Sequence, residues 1–88
     1  MIDQIEDLIK KLENHEDVTQ FYKHEGSRSS WICYYDVDGY YKGEYFLIYL
    51  FKSKLGRFNF EISDHVTDNL EEFQEFLKTL TNLKFKLS

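Results

Sequence analysis

The sequence contains no proline. Every turn must therefore come from glycine, asparagine, aspartate or serine rather than from a locked φ angle. Cysteine is almost absent too: Cys33 stands alone, so no disulfide can form within the chain. Small secreted domains generally depend on such cross-links, and the expected setting is intracellular, the cytoplasm. Long apolar runs are missing. The longest, residues 45–51, is seven residues, against the roughly 20 that a membrane-spanning helix needs. The opening Met1-Ile2-Asp3-Gln4-Ile5-Glu6-Asp7 has neither the basic head nor the apolar stretch of a secretory signal. Glycine is scarce, and Gly26, Gly39, Gly43 and Gly56 all fall in expected connections.

Aromatic residues are abundant, at 18% of 88 residues. Their large buried areas let a short chain build a core, so a single domain over 1–88 is expected. Charge is unevenly spread. Residues 1–17 carry a net −4, residues 18–60 +2, residues 61–77 −6 and residues 78–88 +3. A general DNA-binding domain would be basic overall; this chain has a net charge of −5.

Ile2, Ile5, Leu8, Ile9 and Leu12 recur at helical spacing and predict a helix over 2–13. Glu6-Lys10 and Asp7-Lys11 support it as i,i+4 pairs with the acid first. Residues 18–24, 31–37, 44–52 and 57–62 predict strands, with residues 25–30 as a turn. Asp36-Val37-Asp38-Gly39 predicts another turn, because Asp-Gly favours positive φ, and Tyr40 to Gly43 extend it. Ser53-Lys54-Leu55-Gly56 reads as a short hairpin loop. Leu70, Phe73, Leu77 and Leu80, with Phe76 beside them, mark a second helix. Asp64, Thr67 and Asp68 are its N-cap candidates, and Asp68 with Glu71 has capping-box-like spacing. Leu83, Phe85 and Leu87 alternate with Lys84 and Lys86, as in a short fifth strand or an extended tail. The expected fold is α+β: a four-stranded antiparallel meander with an N-terminal and a C-terminal helix, in the order α-β-β-β-β-α-(β).

No catalytic site is expected. His15, His24 and His65 form no metal-ligand pair with one another or with Cys33 at a recognised spacing. Cys33, between Ile32 and Tyr34 in a strand, reads as a small core residue. Asp36-x-Asp38-Gly39 opens like a calcium loop, but the sixth and twelfth positions are Tyr41 and Leu47, where glycine and an acid belong. There is no phosphate-binding glycine loop and no Gly-x-Ser-x-Gly elbow. No metal and no cofactor are expected.

Two features stand out. The strand at 44–52 is apolar on both sides. Phe46, Ile48 and Leu50 make one, and Tyr45, Leu47, Tyr49 and Phe51 the other. Either it is a central strand with a helix on each face, or its tyrosine side is partly open and meets a partner. The second feature is the acidic series Glu61, Asp64, Asp68, Glu71, Glu72 and Glu75. It is either a solvated helix face or a negative patch for a basic protein surface. The candidate partner-binding residues are these six acids with Tyr45, Tyr49 and Phe51. A single-stranded nucleic-acid binder is the alternative. It would stack bases on Tyr34, Tyr35, Tyr40, Tyr41, Tyr45 and Tyr49 near Lys42, Lys52, Lys54 and Arg57. A homodimer through the tyrosine face is a third reading, and no membrane contact is expected.

The chain resembles small acidic phage-encoded anti-CRISPR proteins. The likeness rests on its length and acidity, the helix Ile5-Glu6-Asp7-Leu8-Ile9-Lys10-Lys11-Leu12, the short β-meander and the late Glu71-Glu72-Phe73 helix. The resemblance implies a non-catalytic protein-binding inhibitor that occupies a basic nucleic-acid-binding surface on a Cas nuclease, in the host-cell cytoplasm if phage-encoded. Two departures from that style are the high aromatic content and the slightly basic middle section. Both fit an inhibitor that works through an aromatic interface.

Overall fold

The apolar stripe of the first segment winds onto one side of a helix, α1 (Ile2–Asn14), burying Ile5, Leu8, Ile9 and Leu12. Asp7 and Lys11 pair at 3.0 Å on its solvent side. In the computed structural model, residues 2–28, 31–53, 55–63 and 69–87 are described, with backbone alone for 26–28 and 31–34. After α1 come β1 (Val18–Arg28), β2 (Trp31–Tyr41), β3 (Glu44–Ser53), β4 (Phe58–Ile62), α2 (Leu70–Leu80) and β5 (Lys86–Leu87). The strands lie in sequence order across one sheet. The first four are antiparallel neighbours. β5 runs parallel to β4, because α2 carries the chain back along the sheet before it re-enters, as a parallel connection requires.

The β2–β3 turn falls later than the sequence predicts. Asp36 to Gly39 stay in β2, and the chain reverses at Lys42 and Gly43, whose φ angles are 51° and 81°. Tyr41 and Glu44 face each other across this two-residue loop. Two successive positive φ angles are the geometry that matches the right-handed twist of a hairpin. Gly39 serves packing instead. A Cβ there would lie 3.1 Å from the Thr19 carbonyl oxygen and 3.3 Å from the Phe46 ring. Likewise β1 continues through residues 25–28 of the predicted turn, and Arg28 pairs with Trp31.

A bulge in β1 between Thr19 and Tyr22, with Gln20 at φ 51°, adds one residue opposite β2. The extra residue resets the alternation. Val18 and Phe21, three apart, thereby both reach the core, while Tyr22 is left exposed.

The core has one side of the sheet as its floor. Val37, Phe46, Ile48, Leu50, Phe60 and Ile62 join Ile5, Leu8, Ile9 and Leu12 of α1 and Phe73, Phe76 and Leu77 of α2 in one cluster. Phe46 stacks on Phe73 at 4.8 Å and Tyr41 on Phe76 at 3.9 Å. The Lys11 ammonium donates to the Leu80 carbonyl at 3.1 Å, joining the C-terminal ends of the two helices. Both helices therefore cover the same face. The expectation of a central strand with a helix on each face fails, because both apolar stripes are used on one side.

The second helix begins at Leu70 with Asn69 as N-cap. The predicted cap candidates Asp64, Thr67 and Asp68 lie outside the described residues, as does His65. Cys33 stands in β2 opposite Lys52; the expectation for its side chain also lies outside what is described.

Candidate functional site: a helix-free sheet face

The sheet side away from the helices is built by alternation. Tyr22 and His24 of β1, Asp36, Asp38 and Tyr40 of β2, Tyr45, Leu47, Tyr49 and Phe51 of β3, and Asn59 and Glu61 of β4 all project there. The register aligns them in rows. His24, Asp36, Tyr49, Glu61 and Lys86 follow one another across all five strands, with Tyr22, Asp38 and Leu47 in the next row. Carboxylates thus sit among aromatic rings, and the basic side chains of the long row, His24 and Lys86, stand at its two ends.

The side chains hold one another in place. The Tyr45 hydroxyl donates to Asp38 Oδ2 at 2.8 Å. His24 Nε2 lies 3.8 Å from Asp38 Oδ1, and Tyr22 stacks on His24 with centroids 5.8 Å apart. The Tyr40 ring meets Tyr45 edge-on at 5.4 Å, and Tyr49 stacks on Phe51 at 5.7 Å. Partial burial, helped by the hydrogen bond to Asp38, pushes the Tyr45 phenol up to about 12. Asp36 Oδ1 is buried and has no hydrogen-bond partner among the described residues. A carboxylate oxygen left so is costly.

The predicted site residues divide between two surfaces. Tyr45, Tyr49 and Glu61 lie on the open sheet face, half-buried. Phe51 is on the same side but only 6% exposed, so it underlies the surface more than it presents it. Glu71, Glu72 and Glu75 are exposed on α2, in the opposite layer. Two of these acids are already answered by lysines: Glu72 by Lys42 at 3.3 Å and Glu75 by Lys78 at 3.1 Å. The hydrogen bond that the Lys42 ammonium donates to Glu72 holds it above the usual lysine range. Asp64 and Asp68 lie outside the described residues.

Among the members of the face absent from the predicted partner-binding set are Tyr22, Asp36, Asp38 and Tyr40. The signal for the last three was their i, i+2, i+4 spacing, which a strand would place on one side. Placing a turn at Asp38-Gly39 hid it. The same register corrects the nucleic-acid reading, since Tyr35 and Tyr41 pack on the helix side and cannot join Tyr40, Tyr45 and Tyr49 as a stacking platform.

This arrangement can bind cations and flat groups through carboxylates and aromatic rings. Among the described residues, no three His, Cys, Asp or Glu side chains gather as a metal-ligand set, and no helix is long and apolar enough to cross a membrane. No known protein family, curated protein or solved structure matches the chain.

Proposed function

We propose that the chain is a non-catalytic protein-binding inhibitor that lays its open sheet face on a basic protein surface. One observation carries this reading: Asp36, Asp38 and Glu61 lie among Tyr22, Tyr40, Tyr45 and Tyr49 on a sheet side that no helix among the described residues covers. Tyrosine supplies contact area at low ordering cost, and carboxylates select guanidinium and ammonium groups. The resemblance to small anti-CRISPR proteins makes the nucleic-acid-binding surface of a Cas nuclease the partner of this class to test. The same carboxylates weigh against nucleic acid as the direct ligand, because phosphates approaching these tyrosines would meet three acids. They also weigh against a face-to-face homodimer, which would bring like charges together.

The test is a titration of the protein into guide-loaded Cas9, following binding and target cleavage. Binding and inhibition are expected, lost in the Asp38→Lys/Glu61→Lys variant and kept in the Glu71→Lys/Glu72→Lys/Glu75→Lys variant. The opposite pattern would transfer the site to α2. Absence of both binding and inhibition by the wild type would remove the Cas nuclease from the proposal. A labelled arginine-rich peptide, tested in parallel, reports whether the face selects basic groups at all.

A further inference from the structure

Beyond the sheet face, in the helix layer, the molecule has a cleft of about 490 Å3 between the C-terminal half of α2 and the segment that leads to β5. It exists because α2 stops abruptly. Thr81 turns extended, at φ −153° and ψ 155°, and residues 81–85 then run without regular structure before Lys86 pairs beside Glu61. Phe85 anchors the far end of this span against Phe60, with ring centroids 5.7 Å apart.

The floor of the cleft is the core itself. Ile62 and Leu77, 1% and 2% exposed, lie beneath it, and Leu83 and Phe85 form an apolar wall. Lys78 and Lys84 stand at its rim, and no Asp or Glu is among the described residues that line it. Its volume lies within the range of about 300–1,000 Å3 typical of small-molecule sites. Two lysines beside an apolar wall stand out on a chain of net charge −5, and they fall in the one segment, 78–88, whose charge is +3 without a single acid. Glu75 pairs with Lys78 at 3.1 Å with both side chains more than 70% exposed. An exposed pair of this kind contributes little and exchanges readily for a ligand anion.

We infer that this cleft binds a small amphipathic anion. Its apolar body would lie along Leu83 and Phe85, and its carboxylate or phosphate head would meet Lys78 and Lys84. The inference does not depend on the sheet-face reading, since cleft and sheet face lie in different layers.

Octanoate is the probe, titrated into the 15N-labelled protein and followed by amide chemical shifts, with octanol and acetate as controls for tail and head alone. Saturable shifts confined to Ile62 and residues 74–85 are expected with octanoate. Octanol should bind about tenfold more weakly and acetate without saturation, because a charge-assisted contact supplies the difference. The Lys78→Ala/Lys84→Ala variant should lose about tenfold in octanoate affinity at an unchanged urea midpoint. A cleft that shows no saturable shift, that takes octanol as tightly as octanoate, or that keeps full affinity in the double variant overturns the inference. Shifts centred on Tyr45 and Tyr49 instead would place the ligand on the sheet face and overturn it as well.

Discussion

Neighbouring residues of β3 have opposite fates. Phe46, Ile48 and Leu50 are at most 1% exposed, whereas Tyr45, Leu47 and Tyr49, one step along the same strand, remain half-buried. Their hydrophobicity does not explain this, because both sets are large and apolar or aromatic. The difference comes from where the helices go. Once α1 and α2 have spent their apolar stripes on one side, no described helix is left to cover the other, where of the four β3 side chains only Phe51 is buried. Local apolarity therefore shows that a residue can be buried, and the layer arrangement decides whether it is.

The contrast can be sharpened by measurement. On the covered side, Phe46→Ala removes the ring that packs on Phe73 and lies over Gly39. Loss of about 3–5 kcal/mol is expected in urea unfolding. On the open side, Tyr49→Ala should cost under about 1.5 kcal/mol by the same method, because its ring is only partly removed from water. Equal losses at the two positions would show that the open face is as much a core as the covered one.

Between those extremes lies the hairpin that sets the register of both faces. Gly43→Ala forces an alanine into φ 81° and should cost about 1 kcal/mol. A Tyr45→Phe variant, which deletes the donor to Asp38, should also lose about 1 kcal/mol. Partial burial of the phenol, together with that bond, adds a pH signature. The folded state keeps the Tyr45 proton up to about pH 12, whereas a free tyrosine releases it near 10. The folded protein thus binds more protons in that window. Its contribution to stability is full below pH 10 and is lost as pH rises towards 12. Ultraviolet titration should show a late phenol ionisation in the wild type that Tyr45→Phe lacks. The smallest effect is expected on the solvent side of α1, where Asp7→Ala breaks an exposed pair with Lys11 and should change stability by about 0.3–0.5 kcal/mol.

The sequence showed some parts of this molecule clearly and others poorly. The α1 stripe and the alternation of Phe58, Phe60 and Ile62 were legible because helix and strand periods differ within a few residues. The late hairpin was not. Asp38-Gly39 and Lys42-Gly43 are both plausible reversals, and only pairing of Val37 with Ile48 and of Gly39 with Phe46 selects the second. That choice also decided the site, since a turn at Gly39 would have removed Asp38 and Tyr40 from the face. The acidic series from Glu61 to Glu75 looked like one patch along the chain. In space Glu61 and the α2 acids lie in different layers, so proximity in sequence did not become proximity on a surface.

By itself the sequence determined the kinds of element, their order and the acidic lead of α2, since these follow from residue periodicity and local charge. Only the tertiary structure decided which side of the sheet stays open, that Tyr45 bonds Asp38, and that a lysine-rimmed cleft forms beyond Leu80. Each depends on strand register and on the side to which the helices dock, and a one-residue slip in either would turn every side chain to the other face.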